Sequence, residues 1–204
     1  MKKPDILSTC SSVWKNKMWT RIVNLIIEHA KKTPYWHLDG YMERYWLIPT
    51  KDAGSAGSTG CYTAKWYRNP FVWFCQLLGV SVRVHHILSS DPGRDFHDHP
   101  WPFVTIILKG GYFESRPRYD RSGLYLGAET KWHGAGSVLY RPAKAWHRLA
   151  LWRDHYAIPK DVVIPTRLDS AWTLFIMGPY QQKWGFLSKP DAKTYYRDYL
   201  QEEQ

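Results

Sequence analysis

Two segments constrain this chain more than anything else in it: Gly93-Arg94-Asp95-Phe96-His97-Asp98-His99-Pro100-Trp101-Pro102, and Gly136-Ser137-Val138-Leu139-Tyr140-Arg141-Pro142-Ala143-Lys144-Ala145-Trp146-His147. Side chains on a strand alternate between faces, so His97 and His99 point the same way and both imidazoles can address one ion. A third imidazole from a distant strand completes a set of three protein ligands with open positions. Metals need that arrangement to do chemistry rather than only hold a fold. His147 is the candidate for the third arm.

At 204 residues, 44% hydrophobic and 23% charged, the chain reads as globular, with enough length for one domain and a sizeable core. Three cysteines, Cys10, Cys61 and Cys75, with no CxxC pair, exclude a zinc finger and a disulfide scaffold and point to a reducing, cytoplasmic setting, that of a host cell if the chain is phage-encoded. Lys2-Lys3-Pro4-Asp5-Ile6 opens no signal peptide. The longest apolar run, Phe71 to Val82, is broken by Gln76 and falls short of the roughly 20 residues of a membrane span. A net charge of +10 and 12 tryptophans with 14 tyrosines suit a nucleotide or nucleic-acid partner, because cations attract phosphates and rings stack on bases. Filling a β-rich core accounts for the same rings without any partner.

From Ser12, apolar residues Val13, Trp14, Met18, Trp19, Ile22, Val23, Ile26 and Ile27 recur at helical spacing, capped by Ser11 or Ser12 and ended by Lys31-Lys32-Thr33-Pro34. This amphipathic helix is expected to pack on the outside of the fold or to take part in a homodimer contact. Residues 1–40 are read as the helical extension, 41–187 as a β-barrel and 188–204 as a tail that forms a short terminal helix. Tyr41–Pro49 reads as a first strand, and the small residues from Lys51 to Gly60 as a surface loop without phosphate-loop spacing. Val80–Leu88 alternates, with Ser81, Arg83, His85 and Ile87 on one face and Val82, Val84 and His86 on the other; at most one of His85 and His86 lines a site. Pro92-Gly93 lets the chain swing back toward His97, while Pro100 and Pro102 bracket Trp101 and suit a rim. Phe103–Leu108 is an apolar strand, Gly110-Gly111 a tight hairpin, and Tyr112–Ser115 the returning strand. Residues 116–135 read as a polar excursion carrying a surface His133. Short strands are expected at 137–141, 145–149, 162–164 and 172–177.

The run Gly, His-x-His, apolar strand, Lys109-Gly110-Gly111 resembles the first motif of the cupin superfamily, and Gly136, Pro142 and His147 resemble the second. The resemblance covers residues 80 to 178 and implies a mainly β fold: a double-stranded β-helix, or jelly-roll barrel, behind the N-terminal helix. It places His97, His99 and His147 on the family's metal-binding histidines. HDHPWPFVTIILKGGYFE and WTLFIMGPYQQKWGF are also similar to uncharacterised cupin-like proteins of phages and bacteria. One departure stands out. Cupins usually add a ligating Glu about four residues after the second His, where this chain has Pro102, Phe103 and Val104. That leaves a three-histidine site, as in the thiol-dioxygenase branch, or a lost one.

Glu114, His85 and His86 are the candidates for a fourth ligand or pocket residue, and Arg83, Trp101 and Tyr112 for contacts to substrate. Imidazole suits Fe, Zn, Ni or Cu, and Mn is also open. Three neutral histidines leave the ion's double positive charge undiminished, which draws an anionic substrate or thiolate. The resemblance therefore implies an Fe(II) oxygenase acting on a small anionic molecule or nucleotide derivative. Two other readings stay open: a non-catalytic cupin binding a nucleotide, sugar or nucleic acid, as a phage accessory or anti-host protein would, and a sugar isomerase or epimerase with His97 or His147 as base. No GxSxG and no cysteine motif beside a histidine supports nucleophilic catalysis.

Overall fold

A computed structural model describes residues 17–50, 69–91, 95–155, 169–189 and 192–202. The Ser11/Ser12 cap, the 51–60 loop, Pro92-Gly93, Cys10, Cys61 and the 162–164 strand lie outside these residues. Helix α1 (Lys17–Ala30) lays Val23, Ile27 and Ala30 on one stripe, as its periodicity predicts. Strands β1 (Pro34–Leu38) and β2 (Met42–Ile48) form a hairpin across residue 41, and β2 matches the first strand read from the sequence. Helix α2 (Pro70–Leu77) opens with Asn69, whose side chain accepts from the Phe71 N–H at 2.9 Å, and with Pro70 in its first turn. It occupies the start of the long apolar run.

The barrel follows: β3 (Ser81–Ile87), β4 (Phe96–His97), β5 (Phe103–Tyr119), β6 (Tyr125–Gly134), β7 (Val138–Arg141), β8 (Arg148–Ala150), a short helix α3 (Trp152–His155), β9 (Ala171–Met177), β10 (Gly185–Lys189), β11 (Ala192–Tyr195) and helix α4 (Tyr196–Glu202). One sheet runs β1-β2-β3-β9-β5-β6, with β7 and β8 also on β5; a second runs β11-β10-β4. Every strand pair is antiparallel. The fold is mainly β, two antiparallel sheets with the N-terminal helix packed outside.

The middle of the main sheet is buried on both faces. Outside, the α1 stripe covers Tyr45, Val84, Leu108 and Trp172. Burying each of its larger side chains contributes about 1.5–3 kcal/mol, so the helix is held by packing rather than by propensity. Inside, Ile87, Ile107, Tyr112, Leu151 and Ala171 fill one end of the barrel, while Phe103, Phe175 and Met177 line a second cluster with Trp101 beside it.

Two expectations are corrected around β5. Gly110-Gly111 does not turn the chain back; β5 runs on as a single 17-residue strand. It bends instead, through a bulge where Ile107 pairs with Thr173 and Lys109 with Trp172, and through Gly110 at φ 74°. Before the bend β5 pairs with β7 and β9; after it, with β6 and β8. Residues 116–135 are accordingly not a polar excursion, because β6 pairs with β5 from Gly111↔Gly134 to Tyr119↔Tyr125. The tail likewise carries β11 ahead of its terminal helix.

Gly111 is needed for space at the bend: a Cβ there would come within 2.5 Å of the His133 carbonyl oxygen and 2.6 Å of the Trp132 ring. Gly111→Ala is expected to lower stability by about 1–3 kcal/mol, read as a lower urea midpoint. An unchanged midpoint would show that the β5–β6 corner yields.

Candidate metal centre

His97 and His147 come from different segments and meet through an isolated antiparallel bridge, exchanging both backbone hydrogen bonds at 2.9 and 3.0 Å. His99, two residues on, is held by its own N–H to the Ala143 carbonyl at 3.2 Å. Between them Asp98 points the other way. Its buried carboxylate accepts from Gly185 N at 2.9 Å, Gln182 Nε2 at 2.7 Å and Lys193 Nζ. Strand alternation thus aims two imidazoles inward and uses the intervening residue to bolt the β10–β11 hairpin to the motif.

The three imidazoles form a cluster. Each offers a nitrogen within 4.8 Å of the others, and His99 Nε2 lies 2.9 Å from His147 Nε2. Burial depresses the basicity of two of them: it takes His97 down to about 4, against an upward pull from Asp91, and it carries His99 well below the ordinary value, helped by the neighbouring histidines. His97 and His99 are therefore neutral at physiological pH, with lone pairs free for an ion.

Glu114 stands behind His147. It is 3% exposed and accepts from His147 Nδ1 at 3.0 Å and from Arg141 Nε at 2.8 Å; the second Arg141 donor reaches its other oxygen, and His133 Nε2 lies 3.3 Å away. Burial alone would raise its pKa, but the hydrogen bonds of Arg141, His133 and His147 prevail and keep it far below the usual carboxylate range. An ionised carboxylate accepting at Nδ1 fixes the tautomer of His147, leaving Nε2 bare toward the cluster. Asp91 takes a looser position behind His97, 3.5 Å from Nδ1, and is itself fixed by Tyr41 and by the Leu149 N–H at 2.7 Å.

A cavity of about 270 Å³ opens over the cluster. Among the expected residues, Arg83, His85, Trp101, Tyr112 and Glu114 line it. His86 does not: it faces the outside of the sheet, bonded to Glu43 at 2.8 Å and Ser170 at 3.1 Å and stacked on Trp172 at 4.0 Å. His133, read as a surface residue, is instead at the Glu114 carboxylate. Arg141 went unremarked because an arginine at a strand end carries no signal without its partner. Glu114 reaches the pocket because of the bulge: Phe103, Thr105 and Ile107 face inward, and one extra residue then brings Tyr112 and Glu114 to that same face.

Strand pairing, the two motif segments joined at His97 and His147, and a histidine cluster inside the fold define a mainly β protein with a site that could hold a metal ion. Imidazoles with nitrogens converging on one point, one of them held at Nδ1 by Glu114, fit that ion. No protein-family model and no curated protein matches the chain. Solved structures similar to it include hydroxypropylphosphonic acid epoxidase from S. wedmorenis (10% identity, TM-score 0.41, covering 72% of this chain and 56% of that one). Vicilin from Corylus avellana (14%, 0.45, 75% and 34%) and a cupin 2 conserved barrel domain protein from Rhodopseudomonas palustris (10%, 0.39, 74% and 72%) are also similar. The chain spans about half and about a third of the first two, and these likenesses carry no functional argument. Among the described residues, no helix is long and apolar enough to cross a membrane.

His85, His97 and His99 all bind protons less readily folded than unfolded. Between an ordinary histidine value of 6.5 and the folded value, about 4 for His97, the unfolded chain holds more protons. Their stabilisation is thus complete above pH 6.5 and drains away below it. Thermal midpoints in chelator are expected to fall steadily from pH 7 to pH 5; a flat or rising profile would contradict the buried, neutral cluster.

Proposed function

We propose that this protein is a metal-dependent cupin, a mononuclear Fe(II) oxygenase with a three-histidine site acting on a small anionic substrate. The observation that carries the reading is the convergence of His97, His99 and His147 ring nitrogens, with Glu114 set behind His147. When bound there, an iron ion would supply Lewis acidity and one-electron chemistry. The chain's own contribution is positional. The His97–His147 bridge sets the spacing of two imidazoles, Glu114 and Arg141 hold the His147 ring and its Nδ1 proton, and Phe103 and Phe175 give the site an apolar wall. Phe103 lies edge-on to His99 at 4.7 Å, and Phe175 stacks on Phe103 at 4.6 Å. This wall excludes water, which strengthens electrostatic contacts inside.

The absence of the usual fourth carboxylate bears on the substrate. Glu114 is the acidic residue nearest the cluster, but it is spent on Arg141 and His147 and does not offset the ion's charge. An ion on neutral ligands favours an incoming anion.

Elemental analysis after anaerobic Fe(II) loading tests the reading. The expected result is about one iron per chain, abolished by His97→Ala, His99→Ala or His147→Ala and retained by His86→Ala. Full metal in the His147 variant would sink the three-histidine site. Absence of metal under any loading would favour a binding module or a metal-free isomerase.

Glu114→Gln keeps the shape but strands Arg141 and frees the His147 ring. It is expected to weaken metal affinity about 10–100-fold and to lower stability by about 3–5 kcal/mol, measured by competitive chelator titration and urea unfolding. Unaltered affinity would mean that the carboxylate does not orient the ligand.

A further inference from the structure

Beyond the histidine cluster, the cavity contains a second polar group with no partner of its own. On β3, Arg83 and His85 are two residues apart, share one face, and both line the cavity. His85 is 9% exposed and its Nε2 is buried without a hydrogen-bond partner. Its ring stacks on Phe175 at 5.0 Å, and Phe175 lies 6.1 Å from His99, so one ring separates His85 from the cluster.

Arg83 Nε is likewise buried and unpartnered. Among the described residues no carboxylate forms an ion pair with Arg83; its electrostatic neighbours are Tyr35 and a second cation, Arg44. Three rings hold it in place instead: Trp46 at 4.5 Å, Tyr35 at 5.3 Å and Trp101 at 5.6 Å. Cation–π contacts orient a guanidinium but leave its charge unneutralised, as does its hydrogen bond with the neutral Tyr35 hydroxyl.

Elsewhere in the same cavity the chain satisfies its buried cation, since Arg141 makes a two-pronged pair with Glu114. A half-buried arginine without a carboxylate and a buried imidazole nitrogen without an acceptor, both on the cavity wall, are costly to maintain. A ligand oxygen would remove that cost. We propose that Arg83 and His85 form an oxyanion subsite that grips a terminal carboxylate or phosphate-type group of the substrate and directs the rest of the molecule past Phe175 toward His97, His99 and His147. The substrate class is then a short organic anion, since a cavity of about 270 Å³ lies at the small end of ligand sites. The inference rests on the reading of this cavity as a substrate site, but its anion grip does not require metal.

The test uses full-length, chelator-treated protein titrated with acetate and, separately, inorganic phosphate, by calorimetry and by the ligand-induced rise in thermal midpoint. Saturable one-site binding of at least one anion is expected. Arg83→Gln should weaken it at least tenfold and His85→Phe at least threefold, with iron stoichiometry unchanged in both. His85→Phe keeps a ring on Phe175 and serves if Arg83→Gln fails to fold. Whichever anion binds more tightly names the headgroup. Lack of saturable binding, or equal affinity in wild type and both variants as for adsorption to a +10 surface, would overturn the proposal. Anion binding without metal under any loading would remove the oxygenase reading and leave the subsite; iron binding without anion binding would do the reverse.

Discussion

The structure depends on the two backbone hydrogen bonds exchanged between His97 and His147. With the His99 N–H to Ala143 carbonyl bond they join the two motif segments, and they set two imidazoles side by side before any ion is present. The other contacts follow from that meeting. His99 is placed by strand alternation two residues on, and Asp98, forced to the opposite face, becomes the anchor for Gly185, Gln182 and Lys193. The same three residues thus build the site and fasten the C-terminal hairpin, so loosening one loosens the other.

Alternation also explains what a reader of the sequence could find. It assigns Arg83 and His85 to one face of β3 and Val84 and His86 to the other, and the cavity and the α1 contact fall on those faces. The convergence of His97, His99 and His147 was legible because the signal is local: a spacing of two, and a second motif ending in histidine. Alternation fails where the count slips by one. The bulge at Leu108–Lys109 inverts parity, and Glu114, which strict alternation from Phe103 sends outward, turns in. A glycine pair inside an apolar stretch suits either a turn or a bend, and only the pairing partners, β7 and β9 before and β6 and β8 after, decide between them. His133 was misread for the same reason: its position opposite Tyr112 exists only once β6 has found its register on β5.

Two of the three arginines lining the cavity, Arg141 and Arg83, show how charge is apportioned. Arg141 and Glu114 neutralise each other within hydrogen-bonding distance, and the pair's work is mechanical, holding an imidazole and its proton. Had Glu114 faced the histidines directly, it would have been the missing acidic ligand of the usual cupin set; behind His147, it acts through the ring instead. The centre therefore keeps the full charge of whatever cation it receives.

Arg83 obeys the opposite logic. Its charge is balanced by no described carboxylate, and its rigidity comes from aromatic faces, which cost less than a carboxylate to leave in place when a ligand arrives. A salt bridge there would have to break for an anion to bind; a stack does not. The excess of tryptophan and tyrosine, ambiguous in composition, acquires a specific role at Tyr35, Trp46 and Trp101: these rings hold a cation ready at one end of the cavity while three histidines wait at the other. Both ends are basic or cation-seeking and the walls between them are apolar. With Arg83 and His85 gripping an anion as proposed, that combination would select by charge at the termini of a small molecule rather than by stacking on a base.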